Sequence, residues 1–244
     1  MSKLIRVLLP AILLANMVAP VASAQEGWKH TLVPLYLWGA GIEGTSQVGP
    51  ITAPVSIAFA DALDNLDTTL TVHYEANKGK WGVLVDAFHL SLVPESTLPG
   101  GAPIGIDLTN NIFELGGIYR PETLNGLEVL FGVRAMQFEM GASIGPAPKT
   151  TLVDQDWVDA FAGARKKFSL SESTGLMIRG DVGTGDSEFV WNAAVLLDYR
   201  FNKTVSMFGG YRWLDYDYET GSGRDRFTYD VTYEGPAIAL RFDW

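Results

Sequence analysis

Residues 189–201 read Phe189-Val190-Trp191-Asn192-Ala193-Ala194-Val195-Leu196-Leu197-Asp198-Tyr199-Arg200-Phe201, a run that alternates with a period of two. Successive side chains of a β-strand point to opposite faces. One face therefore carries Phe189, Trp191, Ala193, Val195, Leu197, Tyr199 and Phe201, apolar throughout, with aromatics at both ends and an aliphatic middle. The other carries Val190, Asn192, Ala194, Leu196, Asp198 and Arg200, mixed and polar. A soluble sandwich would place aliphatics on its apolar face, packed on a second sheet. Aromatics bracketing aliphatics are the pattern of a strand that crosses a bilayer with its ends at the two interfaces.

The same alternation recurs along the chain. Trp81, Val83, Val85 and Ala87 oppose Asp86; Phe113, Leu115 and Tyr119 oppose Glu114; Val129, Phe131 and Val133 oppose Glu128 and Arg134. Val158, Ala160 and Ala162 alternate with Asp159 and Arg165, and Ile178 and Val182 with Arg179 and Asp181. Met207, Tyr211 and Trp213 oppose Arg212. Ten segments emerge, near 31–42, 68–77, 80–92, 108–120, 127–140, 156–168, 175–183, 189–201, 204–218 and 227–244. Most reach the roughly 9–11 residues that a tilted membrane-crossing strand needs. Gaps near 78–79, 121–126, 169–174 and 202–203 are short, and those near 43–67, 93–107 and 141–155 are long. Outer-membrane barrels show this asymmetry, with short periplasmic turns and longer external loops. The sequence predicts an all-β protein: a closed antiparallel transmembrane β-barrel of about ten strands, with eight as the fallback count. Asp61, Asp64 and Asp67 oppose Phe59, Leu63 and Leu66, which predicts a short amphipathic helix in the first long loop.

The last strand is the most specific element. Ile238, Leu240, Phe242 and Trp244 are apolar at every second position and the chain ends on an aromatic residue, while Arg241 and Asp243 take the other face. A strand of this form resembles the signal that outer-membrane barrels present to their assembly machinery. Hydrocarbon offers no hydrogen-bond partners, so every strand N–H and C=O must pair around a closed ring.

Composition agrees. Of 244 residues, 47% are hydrophobic and 11% aromatic, while 19% are charged, below the roughly 25% of soluble domains. A formal charge of −10 argues against nucleic acid as a partner. No cysteine is present, which excludes a disulfide-stapled fold and a cysteine-ligated metal site. Residues 1–24 read as a secretory signal peptide: Lys3 and Arg6 form the basic region, Val7 to Val21 the apolar run, and Ala22-Ser23-Ala24 the cleavage site. Its removal after Ala24 leaves one domain, residues 25–244, and deepens the formal charge to −12, because only the two cations are lost.

Pro34-Leu35-Tyr36-Leu37-Trp38, Gly41-Ile42-Glu43-Gly44-Thr45, Phe59 to Asp67, Gly210-Tyr211-Arg212-Trp213-Leu214-Asp215-Tyr216-Asp217-Tyr218 and Gly235-Pro236 together resemble a widespread, functionally uncharacterised group of Gram-negative outer-membrane β-barrel (porin-like) proteins. The resemblance covers most of the mature chain. It implies barrel architecture and outer-membrane location, and brings no agreed activity.

Candidate functional residues follow from which face meets lipid. Trp191, Val195, Leu197, Tyr199, Trp213, Leu240 and Phe242 are assigned to lipid. Glu75, Asp86, Glu114, Arg134, Asp159, Arg165, Arg179, Asp181, Asp198, Arg200, Arg212 and Arg241 are assigned to the lumen. Their signs balance, six against six. A channel lining would place one sign at a constriction; balanced charges in so narrow a barrel predict a salt-bridged, packed interior. The histidines are His30, His73 and His89 only, and none accompanies Asp215 and Asp217 near the outer rim. No catalytic, cofactor-binding or metal-ligating residue is therefore assigned, and no cofactor is expected. Arg224 and Arg226 are candidates for contact with lipopolysaccharide phosphates. The expected role is an integral outer-membrane protein with an envelope-structural or surface-interaction function, partnered by outer-membrane lipid, lipopolysaccharide and the barrel assembly machinery. The alternatives are a small porin-like channel and a barrel hydrolase acting on lipid or peptide.

Overall fold

Pro34 determines how the ring closes. In the computed structural model, which describes residues 27–97, 103–145 and 148–244, the first stave is broken into β1 (Lys29–Val33), β2 (Tyr36–Trp38) and β3 (Gly41–Val48). The expected signal peptide lies outside the described residues. The segment expected as one strand over 31–42 is interrupted because Pro34 has no N–H to give to a ladder. All three pieces still pair with the last strand, β14 (Phe227–Asp243), from Leu32↔Phe242 through Ile238↔Leu37 to Phe227↔Val48. The final residue seals the seam: His30 N–H donates to the Trp244 carbonyl at 2.8 Å and Trp244 N–H returns a bond at 3.1 Å.

On its other side the first stave meets β5 (Leu66–Lys78), but only as far as Val33↔His73. Just beyond the proline, the Thr71 hydroxyl takes over from the backbone. It accepts from Tyr36 N–H at 2.7 Å and donates to the Tyr36 carbonyl. β4 (Ile51–Ile57) folds back on β3 as a hairpin, and α1 (Phe59–Asp64) leads from it into β5. The helix is shorter than the pattern through Asp67 predicts, because β5 begins at Leu66.

The ring continues through β6 (Trp81–Leu92), β8 (Pro103–Tyr119), β9 (Leu127–Ile144), β10 (Thr150–Ser169), β11 (Thr174–Gly185), β12 (Phe189–Arg200) and β13 (Val205–Thr220) to β14. A small strand, β7 (Glu95–Thr97), pairs with the start of β8. Every neighbour is antiparallel, and the staves number ten, with β1 back beside β14. Among the described residues the ladders run round the ring except between β5 and the first stave beyond Val33↔His73, where Thr71 bridges the proline break.

Exposure separates the two faces. Leu197 is 54% exposed and Ile238 50%, whereas Asn192 one face across is 1% exposed. Val83, Leu115, Phe131, Val133, Val158, Ile178, Val182, Val195 and Leu240 extend the exposed apolar belt around the barrel. Tyr199, Leu240 and Leu197 are exposed, while Trp191, Trp213 and Phe242 are half-buried on the same outer face. Rings collect at its edges: Trp81 and Tyr119 lie 4.6 Å apart at the short-turn end, and Tyr211 and Trp213 4.5 Å apart toward the other.

Strands outrun the belt at the long-hairpin end. β10 is apolar outward from Val158 to Ala164, with Lys166 and Phe168 at the short-turn edge, but runs back to Thr150, so residues 150–157 project roughly 20 Å past the bilayer at a barrel tilt. The gaps expected near 43–67, 93–107 and 141–155 are thus largely strand. Gly163 shows how tightly the inner face is built: a Cβ there would stand 2.4 Å from the Asp181 Cβ, so only glycine lets β10 and β11 pair beside that carboxylate.

Candidate functional site: the barrel interior

The interior is stratified along the barrel axis. Toward the long hairpins it is packed with rings. Trp157, 1% exposed, stacks on Tyr218 at 4.2 Å and meets Tyr216 edge-on at 5.7 Å. Phe138 lies 4.8 Å from Tyr229, the Tyr229 and Tyr233 hydroxyls bond each other, and Tyr233 donates to Asn110 Oδ1 at 2.7 Å. Met136, Ile112, Leu214 and Val190 fill the spaces between them, all buried. These residues come from β8, β9, β10, β12, β13 and β14, so the layer spans the lumen.

Beneath it lies a cluster of three guanidiniums and two carboxylates. Arg134 donates from Nε to Glu114 Oε1 at 2.9 Å and from Nη2 to Asp181 Oδ1 at 2.7 Å. Arg179 reaches the same two acids, Glu114 Oε2 at 2.9 Å and Asp181 Oδ2 at 2.8 Å. Arg212 adds a 3.4 Å contact to Glu114 and bonds Asn192 Oδ1 at 3.0 Å, while Asn192 donates to Asp181 at 2.8 Å. Arg134 and Glu114 are both 0% exposed. Aromatic faces help hold the excess cation: the Arg212 guanidinium sits 4.5 Å over Trp38 and that of Arg134 5.1 Å over Phe161.

A second cluster sits toward the short turns. Arg165 bonds both oxygens of Glu75 and reaches Glu128 Oε2 at 2.6 Å; Arg120 holds the other Glu128 oxygen at 2.7 Å. His73 lies between two acids, Nε2 at 3.0 Å from Glu75 and Nδ1 at 2.9 Å from Asp86, and the Tyr36 hydroxyl donates to Asp86 at 2.8 Å. Arg241 pairs with Asp198 at 2.7 Å and Asp243 at 2.9 Å. Between the clusters a cavity of about 120 Å³ opens toward the short-turn end.

Ten of the twelve residues assigned to the lumen by parity lie in these ion pairs. Two are corrected. Arg200 is exposed at the short-turn rim, because β12 ends there and its side chain clears the lumen. Asp159 is buried but serves the hairpin above it, accepting from Ser187 N–H and Oγ, both at 2.8 Å. Glu128, Arg120, Asn192 and Tyr36 join the network without having been singled out. Glu128 shares a face with Arg134, a parity that identifies it in the sequence. His89 faces outward and bonds Asn111 Oδ1 at 2.7 Å, and His30 stacks on Trp244 at 5.4 Å. Asp215 and Asp217 lie on the outer face of β13, beyond Trp213. Partial burial, then repulsion from Asp230, Glu188, Asp215 and Glu219, raises the Asp217 carboxyl above its ordinary range. Arg226 pairs with Glu219 at 2.9 Å, while Arg224 is exposed in the neighbouring turn.

No protein-family model matches the chain, and no curated protein matches it. Among solved structures, the outer membrane protease OmpT from Escherichia coli aligns at a TM-score of 0.52 and 8% identity, over 92% of this chain and 99% of that one. The translocator domain of the autotransporter NalP from Neisseria meningitidis aligns at 0.44 and 12% identity, over 98% of this chain and 95% of that one. At 8% identity the OmpT alignment bears on architecture alone, and that architecture is the closed transmembrane β-barrel of outer-membrane proteins.

Proposed function

We propose that the protein is a non-conducting, non-catalytic integral outer-membrane barrel that presents its projecting hairpins for an envelope-structural or surface-interaction role. The observation that carries this reading is the ring layer across the lumen. Tyr216 and Tyr233 are 0% exposed, and Trp157, Met136 and Leu214 are buried with them. A solute would have to displace several rings at once, each worth about 3–5 kcal/mol of burial. The charged clusters beneath support the same reading, since paired acids and arginines fix the staves rather than select an ion. The leader expected over 1–24 would export the chain, the terminal strand ending in Trp244 would present it to the assembly machinery, and lipopolysaccharide and outer-membrane lipid would surround it.

Single-barrel recordings in planar bilayers test this. The refolded protein is expected to add no unitary conductance, and replacing Trp157 and Tyr216 together by Ala is expected to create one. Steady ion flow through the unmodified protein would favour the channel, and turnover of lipid A or of peptides would favour the hydrolase.

A further inference from the structure

The cavity between the two charged clusters ends blindly beneath the ring layer, so it is shaped to hold something rather than to pass it. Among the residues that line it, the cations are Arg165, Lys167, Arg179, Arg212 and Arg241, and the acids only Glu75, Asp86 and Asp198. In a chain of formal charge −10 these lining groups count five cations to three acids. The four arginines are committed: Arg165 to Glu75 and Glu128, Arg179 to Glu114 and Asp181, Arg212 to Glu114, Arg241 to Asp198 and Asp243. Lys167 differs. It follows Arg165 on the same inner face of β10, is exposed at the open end of the cavity, and has no carboxylate within ion-pair distance among the described residues. The wall beside it is apolar: Met177 pairs directly with Lys167 across the β10–β11 ladder, Leu196 follows on β12 and Phe208 on β13, and Val33 of the first stave completes the lining. A concave site with apolar walls and one convergent charge is the usual form of a small-molecule pocket.

We propose that this cavity binds a small organic monoanion, a carboxylate on a short apolar tail, with the carboxylate on Lys167 and the tail against Met177, Leu196 and Phe208. About 120 Å³ has room for roughly ten waters, which suits a ligand of about eight to twelve non-hydrogen atoms. An ammonium is a compact point charge that suits a monodentate carboxylate at a solvent-facing mouth. Two sources share this chemistry, a free short-chain carboxylate and the C-terminus of a peptide ending in an apolar residue.

Calorimetric titration of the full-length protein in nanodiscs with hexanoate, N-acetyl-leucine and inorganic phosphate tests it. Hexanoate or N-acetyl-leucine is expected to bind saturably, and the tighter of the two identifies the source. Lys167→Met is expected to weaken that binding about tenfold, the loss of one charge-assisted contact. Met177→Trp, which keeps Lys167 but fills the space for the tail, is expected to weaken it as much. Lys203→Met, in the exposed turn before β13, is expected to leave it unchanged. Folding of each variant is read from heat-modifiable electrophoretic mobility. The proposal is overturned if neither carboxylate binds, if phosphate binds as tightly as both, if folded Lys167→Met binds like the parent, or if Lys203→Met weakens binding equally.

Discussion

Glu114→Gln is expected to destabilise the barrel more than Arg134→Met, although both residues are wholly buried and belong to the same cluster. The reason is the charge balance of the site. Glu114 and Asp181 face Arg134, Arg179 and Arg212, so the cluster holds one cation more than its acids neutralise. Removing the Glu114 charge leaves Asp181 as the cluster's one anion for three guanidiniums and turns the charge-assisted contacts to all three into neutral ones at best. Stranding buried charge in this way costs about 3–5 kcal/mol. Arg134→Met breaks two contacts but leaves two acids with two arginines and puts a thioether of similar length beside Phe161, so a loss of about 2 kcal/mol is expected. The double variant should be less unstable than the two losses combined, because the second change removes part of the repulsion that the first exposes. Urea unfolding of the vesicle-inserted protein, followed by tryptophan fluorescence, measures all three. A Gln variant within about 1 kcal/mol of the parent, or an Arg134→Met variant that loses more, would refute the reasoning.

Gly163→Val should lower the unfolding midpoint and separate Asp181 from Arg134, since its Cβ alone would approach the Asp181 Cβ to 2.4 Å; a variant as stable as the parent contradicts that packing. Among the described residues Thr71 is the only side chain that bonds the Tyr36 backbone at the proline break, so in Thr71→Val amide exchange at Tyr36 should accelerate while exchange across β9–β10 stays slow. Asp217 carries a raised carboxyl value in the folded protein, so the folded state holds that proton more tightly than the unfolded chain does. Its destabilising effect is therefore present at neutral pH and relieved as pH falls through the carboxylate range. Asp217→Asn should raise the thermal midpoint slightly at neutral pH; acidification should abolish the gain, and molar salt should reduce it by screening the repulsive part while leaving the part due to burial; a gain that salt does not change would mean that repulsion has no share in it.

Which side of each strand faces lipid was legible because a membrane enforces it. Within the bilayer every outward position must be apolar, so the alternation at 189–201 or 238–244 carries the fold almost unaided. Once β9 and β10 leave the bilayer that demand lapses, and residues 141–144 and 150–157 carry no such alternation, so they read as loop although they pair as strand. Pro34 lies within a run otherwise suited to one strand; its effect on the ladder is local chemistry, but the rescue by Thr71 depends on a residue 37 positions away. The interior charges were found by parity and their partners were not. Arg134 meets Asp181 across 47 residues of sequence only because β9, β10 and β11 run side by side. Arg200 has the right parity at the wrong height, and Asp159 turns to a serine in a hairpin whose geometry no spacing encodes.

Since the chain has no cysteine, single cysteines can be introduced and labelled at Leu197, Leu240 and Asn192, and their quenching by lipids brominated along the acyl chain recorded in vesicles. Labels at 197 and 240 are expected to be strongly quenched and the label at 192 to be untouched. Quenching at 192 with none at 197 and 240 would mean that the ionic face meets the hydrocarbon and the barrel is inside out.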